Sequence, residues 1–97
     1  MPSLSLDKAE RKALAAQAHS LNPVVLLGNA GLTPAVMQEI DRALRAHELI
    51  KVRLTGLDRD ERPQAGEQIA ETLSAAAVQI IGNVLVLYRP RPDDEDA

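Results

Sequence analysis

The chain has 97 residues, 45% of them hydrophobic and 26% charged, with a formal net charge of −3 and no cysteine. Length and composition fit one globular domain, and no apolar run approaches the roughly 20 residues that span a membrane. The lack of cysteine, and of a basic and then apolar leader, argues against secretion, so we expect a cytoplasmic protein.

The acidic balance arises in the last eight residues. Residues 90–97 contain four acidic side chains and one arginine, whereas the other 89 residues hold ten basic and ten acidic side chains. We therefore expect one neutral domain over residues 1–89, on which any basic patch is local. An acidic, disordered tail over residues 90–97 is expected to follow it.

The first predicted helix covers residues 6–19, with Ser5 as its N-cap. Its expected inward face consists of apolar residues at helical spacing, namely Leu6, Ala9, Ala13 or Leu14, Ala18 and Leu21. Asn22 and Pro23 end this helix. Residues 24–27 then predict a short strand that is apolar on both faces, as in a buried parallel strand.

A second helix has a clear start signal, because Thr33 can cap it and Pro34 suits the first helical position. This helix is expected to end near His47, and its inward stripe consists of Val36, Ile40 and Leu44. Residues 49–54 predict a half-exposed strand. One face of that strand carries Ile50, Val52 and Leu54, and the other carries Lys51 and Arg53.

A third helix and a hairpin complete the predicted elements. Asp60 can cap the helix, whose inward stripe consists of Ala65, Ile69 and Leu73. Gly82 and Asn83 stand between two apolar runs, which indicates a hairpin turn with glycine first. The predicted order is thus α-β-α-β-α-β-β, an α/β (α+β) fold with a four-stranded mixed sheet and three helices.

The strand patterns also predict how the helices cover the sheet. The first and last strands are apolar on both faces, so we expect helices on both sides of at least part of the sheet, with the second strand less covered. Helices confined to one side would leave an exposed apolar patch, which would itself suggest a binding surface.

The stretch VVLLGNAGLT, residues 24–33, places two glycines three apart where a strand leads into a helix. Unpaired N–H groups and the positive dipole end at such a helix start suit a phosphate. Gly28 and Gly31 have no side chain to block a phosphodiester, and Asn29 adds a neutral donor. A plain turn whose glycines only permit positive φ fits the same pattern, so the loop alone leaves both interpretations open.

Other chemistries find less support in the sequence. A nucleotide pocket is disfavoured because the P-loop lysine and the longer G-x-G-x-x-G spacing are absent. The two histidines, His19 and His47, stand near predicted helix ends, and no nucleophile–base or metal-ligand grouping is evident. We therefore expect no catalytic residue, no metal and no cofactor.

Two sets of basic residues are candidates for binding an anion: Lys8, Arg11 and Lys12 on the first helix, and Lys51 and Arg53 on the second strand. The helical set shares one face, and an anionic partner would turn its mutual repulsion into attraction. Alternatively, Asp7 pairs with Arg11 and the lysines are only solvated. The strand set has no acid at a neighbouring position on its face.

Tyr88 is the only aromatic residue of the chain. A sheet that stacks nucleobases needs two or three rings, so nucleic-acid contact is expected to run mainly through phosphate and sugar. Because Tyr88 follows the apolar run of residues 84–87, we expect it to pack in the core.

The segments PVVLLGNAGLTPAVMQEIDRALRAHELIKVRL and VQIIGNVLVLYRP resemble the CRM domain family, named for chloroplast RNA splicing and ribosome maturation. The resemblance covers about residues 4–90 and is strongest to the single-domain bacterial members of the YhbY type. The glycine loop followed by Leu-Thr, the HELIKV strand and the G-x-x-L-V-L-Y-R hairpin occur in the family's order. This resemblance implies a fold similar to the C-terminal domain of translation initiation factor three.

The resemblance further implies an RNA-binding protein that is not an enzyme and that assists assembly of the large ribosomal subunit on its precursor RNA. It assigns RNA contact to Gly28, Asn29, Ala30 and Gly31, with Lys51 and Arg53 as basic support, and we add Lys8, Arg11 and Lys12. The loop tip lacks the basic residue of many relatives and the tail is acidic, so the expected affinity is lower. An adaptor that binds a ribosomal protein is the alternative, and a nucleotide-binding enzyme is a weaker one. We expect a monomer and no membrane partner.

Overall fold

The computed structural model describes residues 6–28 and 30–90. Within these ranges the chain forms three helices and four strands, namely α1 (Lys8–Ala18), β1 (Pro23–Leu26), α2 (Pro34–His47), β2 (Leu49–Arg53), α3 (Glu61–Leu73), β3 (Ala76–Ile81) and β4 (Val84–Tyr88). The predicted succession of elements is confirmed. The acidic tail predicted for residues 90–97 lies outside the described residues, apart from Pro90.

The strands form one mixed sheet in the order β1-β2-β4-β3. β1 and β2 are parallel and are connected through α2, whereas β4 runs antiparallel to both β2 and β3. Gly82 begins the β3–β4 turn with φ +60°, as the glycine-first hairpin signal predicts. Leu26 and Arg53 are register partners, so β1 and β2 end together at one edge of the sheet.

The main hydrophobic core lies between one face of the sheet and the helices α2 and α3. Its fully buried members include Val25, Leu27, Ile50, Val52, Leu54, Leu85 and Leu87 from the sheet side, and Ile40, Leu44 and Ile69 from the helices. The alternation predicted for β2 is confirmed, since residues 50 and 52 are buried. Lys51 and Arg53 consequently lie on the opposite face of the sheet.

Helix α1 packs on that opposite face and forms a smaller core. Ala18 clusters there with Val78 and Val86, and Tyr88 packs against this cluster as expected. Helices therefore lie on both sides of the sheet, as predicted. The cover is partial, because Val86 is 1% exposed whereas Ile81, on the same face, is 60% exposed.

The prediction that the first strand is buried on both faces is wrong. Val25 is buried, but Val24 and Leu26 are 50% and 60% exposed. β1 is an edge strand, and α1 packs on β2, β3 and β4 instead. The outer face of β1 is therefore left without a helix in the described part of the chain.

The predicted N-cap residues of α2 and α3 agree with the structure, and that of α1 differs. Thr33 caps α2 as predicted. Ser5 lies outside the described residues, and α1 begins after Asp7, which forms a capping box with Glu10. Asp60 precedes α3 but makes no side-chain capping bond. None of the helices in the described ranges combines the length and the apolar character needed to cross a bilayer.

Arg11 anchors α1 to the edge strand β3. Its Nη1 donates to the carbonyl oxygen of Ala77 at 2.9 Å and to that of Val78 at 2.8 Å. The pairing of β3 with β4 is irregular between residues 77 and 79, so these carbonyls lie at a bulge. The guanidinium thus supplies a donor where the sheet ladder is interrupted.

Replacing Arg11 with alanine should lower the free energy of unfolding by about 1 kcal/mol, because charge-assisted hydrogen bonds to partly exposed carbonyls are lost. Urea denaturation of Arg11→Ala measures the change. Lys12→Ala is the matched control, since the Lys12 side chain is exposed and has no hydrogen-bond partner among the described residues. Equal stability of the two variants would contradict the anchoring role.

Candidate nucleic-acid interface

The glycine loop leaves the sheet at the carboxyl end of β1. Leu27, the residue before the loop, donates its N–H to the carbonyl oxygen of Arg53 at 2.9 Å, which holds the loop against the end of β2. The loop closes where Thr33 caps α2. Of the predicted contact residues in this loop, Asn29 lies outside the described part of the chain.

Gly31 is required by the backbone of the turn. Its φ is +76°, a conformation that L-residues rarely adopt. Its N–H donates to the carbonyl oxygen of Gly28 at 3.1 Å, and its own carbonyl oxygen accepts the Thr33 N–H at 3.1 Å. The plain-turn interpretation therefore accounts for Gly31.

Gly28 is not required by the fold. Its φ lies outside the left-handed region, and a Cβ at this position would have no other atom within 4 Å. The residue is exposed, and neither its N–H nor that of Ala30 has a hydrogen-bond partner among the described residues. The fold does not explain why this position lacks a side chain. The lack of a side chain does, however, allow a ligand to approach the backbone closely.

The loop runs directly into the amino-terminal end of α2, where the helix dipole is positive. Thr33 Oγ1 accepts the Val36 N–H at 3.2 Å, and Pro34 has no N–H to be satisfied. The first turn of α2 carries no acidic residue that would neutralise this end. The electrostatic potential beside the loop therefore favours an anion.

Lys51 and Arg53 extend this positive surface along β2. Arg53 has Leu26 and Val84 as register partners, and Lys51 has Val86, so no acid lies beside either cation on its strand face. Arg53 is exposed and Lys51 is half-buried. Neither forms an ion pair with any residue of the described ranges. The loop and Arg53 therefore lie at the same corner of the sheet, and Lys51 lies two residues farther from the loop along β2.

The basic residues of α1 lie on the same face of the sheet as Lys51 and Arg53 but near its opposite edge. Arg11 is bound to β3, which is the edge strand opposite β1. Three strand spacings, about 14 Å, separate the two edges. Lys8 and Lys12 are exposed on the same helix, and the ion pair considered between Asp7 and Arg11 does not form, because Asp7 caps α1. The structure thus does not bring this set beside the glycine loop.

Sequence inspection missed an apolar component of this surface. Val24, Leu26 and Ile81 are the large hydrophobic residues exposed in the described chain, and all three lie on the sheet face that carries Lys51 and Arg53. The available signal was the proline at position 23, because proline is confined to edge strands, bulges and strand starts. A single short helix does not cover the whole sheet, and an edge strand such as β1 is then left exposed.

The fold and this corner define a small α+β domain with an exposed glycine loop between a strand and a helix, next to the positive end of α2 and to Arg53. The family model of the CRS1/YhbY (CRM) domain matches residues 6–89. The chain therefore belongs to the CRM domain family, which confirms the resemblance identified in its sequence.

Individual proteins show the same relationship. A Haemophilus influenzae protein named as an RNA-binding protein is 48% identical over 86 residues, which cover 89% of this chain and 87% of that protein. A candidate RNA-binding protein of Pseudomonas aeruginosa is 35% identical over 89 residues, covering 92% and 86%. The solution structure of a Staphylococcus aureus protein, described as a candidate RNA-binding protein, matches with a TM-score of 0.83 at 27% identity, covering 95% of this chain and 96% of that one. The predicted fold class is confirmed.

The two loop glycines should respond differently to alanine. Gly31→Ala should lower the free energy of unfolding by about 1 kcal/mol, because a Cβ is strained at this positive φ. Gly28→Ala should leave the free energy of unfolding unchanged or slightly higher, since its Cβ enters open space. Urea denaturation of both variants measures the difference, and an equal loss in both would contradict the conformations described above.

Proposed function

We propose that this protein is a non-enzymatic RNA-binding protein that associates with precursor large-subunit ribosomal RNA and assists assembly of the large ribosomal subunit. Membership of the CRM family and the names of two relatives, covered over 87% and 86% of their lengths, support RNA as the partner. The observation that carries the proposal is Gly28, an exposed glycine that the fold does not need, next to the positive end of α2. The proposal includes a cytoplasmic monomer that works without a cofactor.

In the proposed mechanism, an RNA phosphate lies against the bare backbone at Gly28. The N–H groups of Gly28 and Ala30, which have no partner among the described residues, and the α2 dipole attract this phosphate. Arg53 and then Lys51 bind neighbouring phosphates, since β2 leads away from the loop. Phosphate contacts position the RNA without selecting its sequence. Selectivity therefore has to come from a further part of the surface.

The α1 residues take a different part in this mechanism. Lys8 and Lys12 belong to the part of α1 that is bound to β3, at the sheet edge opposite the loop. In the proposed mechanism they contact a more distant stretch of the same RNA. Arg11 contributes mainly by holding α1 in place, because its Nη1 is bound to two carbonyl oxygens of β3.

The exposed apolar side chains of β1 and β3 favour a second candidate function. An adaptor that recognises a ribosomal protein through this face would also use a surface of this kind. The two candidates differ in whether RNA is needed for association.

Binding of the purified protein to single-stranded RNA should weaken steeply as salt is added. If about four phosphates are neutralised, the logarithm of the association constant should fall with the logarithm of salt concentration at a slope near −3. Fluorescence anisotropy over a series of potassium chloride concentrations measures the slope. An affinity independent of salt would contradict phosphate binding.

Gly28→Leu should reduce the affinity for RNA roughly tenfold without unfolding the domain, because the new side chain blocks the approach of phosphate to the loop backbone. Ala46→Leu is a matched control, since residue 46 is exposed near the far end of α2, roughly 18 Å from the helix start. Circular dichroism establishes that both variants are folded. Equal RNA affinities of the two variants would count against the loop as the contact site.

In cell extracts, the protein should sediment with precursors of the large ribosomal subunit and should be released by nuclease. Sucrose-gradient fractions with and without nuclease, probed with an antibody, make this measurement. Retention on a ribosomal protein after nuclease treatment and in high salt would favour the adaptor instead.

A further inference from the structure

The three exposed large apolar side chains of the described chain lie on one sheet face, two of them on the edge strand β1 and one on the edge strand β3. Val24 is 50% exposed, and Leu26 and Ile81 are each 60% exposed. We use the term open sheet face for the part of the α1-facing side that α1 leaves uncovered, which consists of Val24, Leu26, Lys51, Arg53, Ile81 and Val84. Single exposed apolar residues are ordinary, but a group of them marks a binding surface.

At the loop end of the sheet, these side chains form a continuous row. Leu26 is the register partner of Arg53, Arg53 of Val84, and Val84 of Ile81. The row therefore crosses all four strands, a width of about 14 Å. It begins two residues before Gly28, so it is continuous with the glycine loop.

The fold keeps α1 away from this row. Arg11 is bound to the carbonyl oxygen of Val78 in the middle of β3, and Ala18 packs with Val86. Val86 is 1% exposed beneath α1, whereas Val84, two residues nearer the loop, is only half-buried. The uncovered row is thus a consequence of where α1 is anchored.

The open sheet face carries two positive charges and no negative one. Lys51 and Arg53 are interleaved with the apolar side chains of β1 and β4. A partner that complements this face needs anionic groups joined to flat apolar surfaces. Single-stranded RNA has both, because its phosphates are charged and its unstacked bases expose their faces, whereas a duplex stacks those faces inside.

We propose that the open sheet face binds the unpaired bases of single-stranded RNA whose phosphates contact the glycine loop and Arg53. The inference rests on the proposed function and deepens it, since it names the form of RNA and a second kind of contact. Aliphatic side chains, chiefly Leu26 and Ile81, take the place of the aromatic rings that this sheet lacks. Tyr88 does not contribute, because it packs in the small core under α1.

The test compares two labelled strands of about 12 nucleotides, oligouridine and a strand of the same length whose sugars carry no bases. The variant is Leu26→Thr combined with Ile81→Thr, which places β-branched residues that suit strands at both positions while removing apolar surface. Anisotropy titrations of the variant should show roughly tenfold weaker binding of oligouridine. Its affinity for the abasic strand should equal that of the unaltered protein.

The salt dependence separates the apolar contacts from the charged ones. The double variant should keep the salt slope of the unaltered protein, because no charge is removed. Arg53→Ala should weaken the binding of both strands and reduce the slope by about 0.7, the contribution of one phosphate contact on a single strand. Arg42 is an exposed arginine on α2, which packs on the opposite face of the sheet. The control variant Arg42→Ala should change neither the affinity for the strands nor the salt slope.

A further variant guards against loss of folding. Val24→Thr preserves the shape of the side chain at a position that is 50% exposed, so the domain remains folded. This variant should bind oligouridine roughly twofold more weakly and the abasic strand unchanged. Circular dichroism of each variant accompanies the titrations.

The outcomes distinguish this inference from the proposed function. An unchanged affinity of the double variant for oligouridine, or an equal loss with both strands, overturns base contact at the open sheet face. If the salt-dependent binding and its loss in Gly28→Leu persist in that case, the RNA-binding function stands. If the unaltered protein binds neither oligouridine nor the abasic strand, both the inference and the proposed function are overturned. A last outcome is that the unaltered protein captures another protein after nuclease treatment, whereas the double variant does not and its RNA affinity is unchanged. That outcome would assign the open sheet face to protein binding and would also overturn the inference.

Discussion

Burial of one sheet face beneath α2 and α3 is the constraint on which the rest of this structure depends. Ile50, Val52 and Leu54 are at most 1% exposed. A slip of β2 by one residue would bring Lys51 and Arg53 into the core in their place, where unpaired charges are costly. Hydrophobic burial therefore sets the register of β2. The outward position of the two cations follows from the packing of the core.

The same packing determines where the glycine loop emerges. β1 and β2 are parallel, and a parallel pair needs a crossover, which α2 provides. The carboxyl ends of both strands consequently meet at one edge, and the N–H of Leu27 bonds to the carbonyl oxygen of Arg53. Loop, helix start and cation are thereby brought to one corner. Within the loop, Gly31 serves the turn, and Gly28 leaves the backbone open to solvent.

Contacts over a few residues were predictable from the sequence. Thr33 caps α2 through the N–H three residues ahead, and Gly82 needs only its own φ to begin the hairpin. The alternation along β2 indicated which side chains enter the core. Prediction failed at Val24 and Leu26, because an apolar run shows that a strand can be covered on both faces but not whether a helix is there to cover it.

The amino-acid pattern thus determined the helices and strands, their order along the chain and the position of the glycine loop between β1 and α2. These features depend on backbone preferences and on the period of apolar residues. The tertiary structure alone decided which part of the sheet remains open. That outcome depends on α1 being anchored to β3 through Arg11 and Val78, which are 67 residues apart in the chain. A bond of this kind leaves no periodic trace in the sequence, because it joins a side chain to a carbonyl oxygen that every residue possesses.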